Sequence, residues 1–238
     1  LRSDRWAGGE FWEAQKSKTP ITIESIIERC DTVTIGGDGG GLDDLMGMAI
    51  IGREKKTKKW LLWTHAFCHE MVLERRKLIA EQLRDYENDG DLTIVKQSGD
   101  DCTKYGEICA QIYNAGILDK IGLDPLMVGS LIDGIVAAGV PQDKIIGISQ
   151  GYKLAGYIQT TERKLAEGVL VHGGSRMMAW CVGNARIEVR GNNAIITKQA
   201  SGKSKIDPLI ATFNAAALMS LNPEQQDIDS YLMDIIIA

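Results

Sequence analysis

No apolar run in the 238-residue sequence approaches the roughly 20 residues needed to span a bilayer. The opening LRSDRWAGGE lacks the basic-then-apolar pattern of a secretory signal. Neither membrane insertion nor secretion is expected. Cysteine is sparse, and its five positions, Cys30, Cys68, Cys102, Cys109 and Cys181, are odd in number with no repeated C-x-x-C spacing. That pattern argues against a disulfide framework or a structural zinc ribbon and fits a reducing cytoplasm. Histidine is scarcer still, at three residues. Bulk positive charge is also missing: a net charge of -5 argues against a protein that coats nucleic acid. Two local patches could still grip phosphates, one at Arg53, Lys55, Lys56, Lys58 and Lys59, the other at Arg186, Arg190, Lys198, Lys203 and Lys205. The plainer alternative for either is a solvated surface.

What is present is the usage of an ordinary globular chain, 44% hydrophobic and 25% charged, long enough to bury a real core. From Thr32 the text alternates apolar stretches with turn signals: TVTIGG, MGMAIIG and WLLWTHA read as three neighbouring strands. A helical stretch near Met71 to Asn88, a strand LTIVKQ, a helix near Tyr105 to Ala115 and the apolar run ILDKIGL follow. Then come a helix from Pro125 to Ala138, a strand KIIGIS and a helix near Tyr152 to Glu167. Hairpins first and strand–helix alternation afterwards predict an α/β fold, a mixed sheet with helices on both faces. Asn192 and Asn193 mark a hairpin between ARIEVRG and AIITKQ, and Ile206, Leu209, Ile210, Phe213 and Ala217 form one stripe of a closing helix. The expected division is a lead-in over 1–29, one domain over 30–221 and a tail over 222–238.

Some motifs mislead. GISQG, Gly147 to Gly151, has the strand-then-helix setting of a nucleophile elbow on Ser149. The downstream histidine is His172, and the acids before it, Glu162 and Glu167, sit on one expected helix with no separate strand end to present them. GKS at Gly202 to Ser204 has Thr197 where a phosphate-binding loop needs glycine. His65, Cys68 and His69 lack an evident fourth metal ligand.

Three aspartates stand where the chain changes direction. Asp38 ends the first strand inside TIGGDGGG, Asp124 ends ILDKIGL, and Asp207 opens the last helix in KSKIDPL. Ligands gather at the carboxyl ends of strands in an open sheet, and glycines beside Asp38 permit close backbone approach. Asp124-Pro125 and Asp207-Pro208 also read as helix caps followed by proline at the first helical position. Asp38 has no such role, and Asp43 and Asp44 add charge nearby. Carboxylates packed together call for a cation, and oxygen ligands suit magnesium or manganese better than zinc. Two such ions suit phosphodiester chemistry.

The same segments resemble the nuclease domain of tailed-phage terminase large subunits, of the HK97-like, lambdoid-type group. IGGDGGGLDDLMGMAII is similar to that family's strand–Asp–loop–Asp–strand opening, and IGLDPLMVGSLIDGIVAAGV with ISQGYK to its second acidic strand end and the Gln-Gly-Tyr segment. MMAWCVGNARIEV and KQASGKSKIDPLIATFNAA resemble its Trp/Asn strand and final Lys-Ile-Asp helix. The resemblance runs from about Cys30 to Leu221. It implies a ribonuclease H-like fold with Asp38, Asp124 and Asp207 as catalytic metal ligands, and Asp44 as the match to a further acid. Two Mg2+ or Mn2+ ions would serve endonucleolytic cutting of concatemeric double-stranded viral DNA. Lys203 and Lys205 become candidates to hold a phosphate or developing charge, against a solvated-loop alternative. The implied partners are DNA, an ATPase motor domain carried ahead of this one in relatives, a small subunit and the portal protein. The implied location is the host cytoplasm, in a packaging complex absent from the mature virion. The glycines around Asp38 depart from the family pattern. Two rival functions stay open: a serine hydrolase on Ser149, and an inert domain of the same fold that docks DNA or a portal ring.

Overall fold

The computed structural model describes residues 4–126, 129–190, 193–198 and 203–225. Two short helices, α1 (Gly8–Trp12) and α2 (Ile23–Arg29), lead into three long strands, β1 (Cys30–Gly39), β2 (Met46–Glu54) and β3 (Trp60–His69). Next come α3 (Met71–Arg75), α4 (Ala80–Asn88), β4 (Leu92–Val95), α5 (Asp100–Asn114), β5 (Leu118–Leu123) and α6 (Gly129–Ala137). The chain continues through β6 (Ile145–Gly147), α7 (Ala155–Ala166), β7 (Leu170–His172) and α8 (Arg176–Asn184). It closes with a hairpin, β8 (Ala185–Arg190) and β9 (Asn193–Lys198), and α9 (Asp207–Met219).

The main sheet has seven strands, in the order β4-β3-β2-β1-β5-β6 with β7 beside β3. The first three strands are antiparallel neighbours, whereas β5 runs parallel to β1 and β6 parallel to β5. The three leading strands read from sequence are therefore present, and their nearly unbroken burial follows from helices covering both faces. One face packs on α5, α6 and α2 through Val33, Ile35, Met48, Ile50 and Tyr105. The other packs on α9, α7, α8 and α1 through Ala49, Ile51, Phe213, Leu165 and Met178.

The closing helix departs from the expected amphipathic stripe. Leu209, Ala211, Thr212, Phe213, Asn214 and Ala215 through Met219 are all buried, so the helix is enclosed rather than half-exposed. Its alanines fit because the sheet beneath is glycine. A Cβ on Gly36 would stand 1.9 Å from the Ala211 carbonyl oxygen, and one on Gly47 would stand 2.4 Å from the Asp207 carbonyl carbon. Backbone thus lies directly on backbone, a separation that only glycine permits.

Of the lead-in segment, Trp6 and Trp12 pack into this same layer, whereas Ile21 and Ile26 of the α2 region pack on the opposite face. Trp6 is buried with its ring edge-on to Phe213, 5.3 Å between centroids, and Trp12 stacks on His172 at 3.8 Å. The helix expected from Pro125 begins at Gly129, with residues 127–128 outside those described. Asn192, Gly202 and the tail beyond 225 also lie outside the described residues.

Candidate metal centre

Chain direction on β1 determines where the acids meet. Thr34, Gly36 and Asp38 share one face by strand alternation, and α9 lies on that face: the Thr34 hydroxyl donates to the Ala215 carbonyl at 2.9 Å. Because Ala215 lies over Thr34 and Asp207 over Gly47, the partner of Asp38, α9 runs antiparallel to β1. Its N-terminus therefore arrives where β1 ends. Parallel pairing sets Gly36 opposite Gly122 and Gly37 opposite Leu123, so the next step brings Asp38 level with Asp124. Both strands end there, and the Gly39 position lies against Asp207: a Cβ on it would stand 2.9 Å from Oδ1.

The acids perturb one another. The Asp38 carboxyl is held well above the usual carboxylate range, first by burial and then by the charges of Asp207, Asp124 and Asp44, opposed by the Gly39 amide. Asp207 is pushed upward by burial and by Asp44, while Lys205, its own backbone amide and Lys198 pull it down. Asp38 and Asp207 keep partial contact with solvent. This is the signature of buried acids that also repel one another, with Lys205 and Lys198 compensating only part of the charge. An all-oxygen carboxylate cluster at a helix N-terminus fits a hard divalent cation, which would relieve that repulsion. Among the described residues, no group of three or more His, Cys, Asp or Glu side chains is drawn close enough to hold a metal ion. The four acids are electrostatic neighbours rather than a closed ligand set.

The helix-cap alternative separates the two Asp-Pro pairs. The cap position of α9 belongs to Ile206, and Asp207 is the first helical residue with no side-chain cap bond at that end. Asp124 does make a local bond, its Oδ1 accepting from the Leu126 amide at 2.9 Å. A turn-forming role therefore accounts for part of Asp124 and none of Asp207.

Asp44 lies in the β1–β2 turn, where its Oδ1 accepts from the Leu45 amide at 2.9 Å and from the Lys205 ammonium. Lys205 is only 2% exposed, so the solvated-loop alternative does not describe it, whereas Lys203 is exposed. Of the two basic patches, Lys55 to Lys59 lies in the β2–β3 turn, at the opposite end of the sheet from the acids. Arg53 and Lys58 there hold the buried carboxylate of Asp31. In the second patch Arg186 is buried, with one guanidinium nitrogen donating to the Gly183 and Ala185 carbonyls.

Two amide side chains complete the site's frame: Asn214, which the sequence did not single out, and Gln150 of the Gln-Gly-Tyr segment. Asn214, wholly buried, donates from Nδ2 to the Gly37 carbonyl at 2.9 Å. Its Oδ1 accepts from the Gln150 amide at 3.0 Å. A lone amide in the apolar stretch IATFNAAALM was the available signal, because a buried amide needs partners.

The decoy motifs are engaged elsewhere. His172 uses Nε2 on the Trp12 carbonyl at 2.8 Å and Nδ1 on the Gly174 amide at 3.1 Å, away from exposed Ser149. His65 bonds Thr93 and His69 bonds the Lys96 carbonyl, while burial pushes the Cys68 thiol up to about 12.

A family model described as the terminase large subunit endonuclease domain matches residues 3–221. Among solved structures, the chain resembles the large terminase of bacteriophage HK97, with a TM-score of 0.66 and 19% identity over 84% of this chain and 43% of that one. It also resembles the large terminase nuclease of thermophilic phage G20c, with a TM-score of 0.51 and 10% identity over 78% of this chain and 81% of that one. The magnesium-bound form of that nuclease gives 0.50 and 11%, over 91% and 98%. At these identities the likeness speaks for the fold, a ribonuclease H-like mixed sheet flanked by helices. No curated protein matches the chain. The chain spans less than half the length of the HK97 protein.

Proposed function

The chain belongs to the terminase large subunit endonuclease domain family, and from that premise we propose that it is a metal-dependent endonuclease with Asp38, Asp124 and Asp207 as its metal ligands. Its substrate is concatemeric double-stranded viral DNA, cut during genome packaging in the host cytoplasm. Its partners there are the ATPase domain, the small subunit and the portal protein.

The observation that carries this reading is the arrival of Asp207, on the N-terminus of α9, against the strand end that bears Asp38. Two bound Mg2+ or Mn2+ ions would supply water activation and neutralise charge on the departing oxygen. Asp38 and Asp124, on adjacent parallel strand ends, set the spacing of the ligand oxygens. With a cation bound, Asp207 would join them from the N-terminus of α9, where the helix end favours negative charge. Lys205 holds Asp44 in the turn and keeps positive charge beside Asp207. The magnesium-bound G20c nuclease supports the choice of cation by analogy.

One observation favours a second reading, an inert docking domain of the same fold: the buried Lys205 already neutralises part of the acid cluster. Plasmid incubated with manganese, with magnesium and with chelator separates the two. Nicking or linearisation with metal and silence with chelator is the expected result. A folded protein that stays silent in every metal would establish the inert domain.

A further inference from the structure

The end of the sheet that bears the acids is extended by the segment 148–154. The Ile148 amide donates to the Leu123 carbonyl at 2.8 Å, so the chain leaves β6 level with Asp124. Gly151, at φ +68°, turns it. Tyr152, 61% exposed, and exposed Lys153 follow, and Leu154 buries itself to end the segment. A large aromatic ring facing solvent on a tightly held segment calls for a reason.

The segment is tightly held. Gln150 donates from Nε2 to the Ile148 carbonyl at 2.8 Å and to Asn214 Oδ1 at 3.0 Å. Asn214 in turn donates to Gly37, the residue before Asp38. Two side-chain amides therefore tie Gln150, two residues before Tyr152, to the strand that carries the first acid. The hairpin strand β9 also packs against this segment, and its exposed Lys198 is close enough to act on the Asp207 charge. The segment that leaves the acid-bearing end of the sheet thus carries an exposed aromatic ring and a cation, and the strand packed against it carries a second cation, Lys198.

Resting on the nuclease reading, we infer that Tyr152 and Lys153 contact the DNA strand seated over Asp38, Asp124 and Asp207. The Tyr152 ring lies against a sugar or base edge, and Lys153 meets a backbone phosphate. The positive rim offsets the repulsion between the acid cluster and the phosphates, while the flat ring fixes the strand's lateral position. Gln150 and Asn214 are positioning residues that transmit the placement of Asp38 to this contact.

The test is cleavage kinetics on plasmid with manganese across a salt series, together with manganese-induced thermal stabilisation of each variant. Tyr152→Ala should raise KM about 5- to 150-fold, the range of a lost aromatic stacking contact, with kcat and thermal stabilisation kept. Tyr152→Phe, which retains the ring, should restore KM. Lys153→Ala should raise KM and flatten the log–log salt dependence by about one unit. If both alanine variants keep the original KM and salt slope, the contact is overturned. Loss of manganese stabilisation in Tyr152→Ala would instead make that residue structural and also overturn it. If the unsubstituted protein cuts DNA in no metal, the nuclease reading itself falls, and the contact with it.

Discussion

The side-chain amide of Asn214, at the middle of α9, donates to the Gly37 carbonyl at 2.9 Å, one residue before Asp38. That bond ties the helix carrying Asp207 to the strand carrying Asp38, in a region where both partners are buried. Asn214→Leu would take this donor from the buried Gly37 carbonyl and leave the Gln150 amide with the Ile148 carbonyl alone. Burying polar groups unsatisfied costs about 1–3 kcal/mol, so equilibrium urea unfolding should show a loss of that size. An unchanged midpoint would mean that water replaces the amide.

Glycine contacts set the spacing between α9 and the sheet. Gly36→Ala should destabilise by about 1–3 kcal/mol through overpacking, because the Ala211 backbone cannot withdraw without moving the whole helix. Gly156→Ala, in α7 with open space around it, is the matched control and should stabilise by about 0.5–1 kcal/mol. Equal effects at the two positions would show that α9 does not rest on the sheet as closely as described.

A raised carboxyl pKa has a definite sign in pH dependence. Because the folded-state value of Asp38 lies above its unfolded value, ionising it opposes folding. Its contribution is fully favourable below the ordinary carboxylate range and is lost as pH rises through the raised value. Asp38→Asn should therefore be more stable than the unsubstituted protein in chelator at about pH 8, with the advantage shrinking as pH falls toward about 4. A thermal melt series of both proteins checks this. An advantage independent of pH would remove the charge argument.

Ser149 faces solvent while His172 is bonded to Trp12 and Gly174. Ser149→Ala should leave plasmid cleavage unchanged, and the protein should resist an activity-based serine probe. Labelling at Ser149 would revive the hydrolase.

The strands β1 to β3 were legible because long apolar stretches between turn signals have one reading, and Asp38 stood out because a glycine-rich turn has no use for an acid. The three-residue strand β7 was not legible, since LVH carries too little periodicity. The enclosure of α9 was also hidden: Ala215, Ala216 and Ala217 are as compatible with an exposed face as with glycine beneath them. Lys205 lies in KSK, which reads as a solvated loop until the fold brings Asp44 to it. Gln150 and Asn214 are 64 residues apart, and their bond exists only once β6 and α9 are in place.

The most direct test of the metal site is Asp38→Ala, assayed together for manganese-dependent plasmid cleavage and for manganese-induced thermal stabilisation. A ligand lost from a repelling cluster should abolish cleavage and shrink the stabilisation by metal, while the chelated protein keeps or slightly raises its Tm. Wild-type cleavage together with wild-type metal stabilisation in Asp38→Ala would contradict the assignment of Asp38, Asp124 and Asp207 as the metal site.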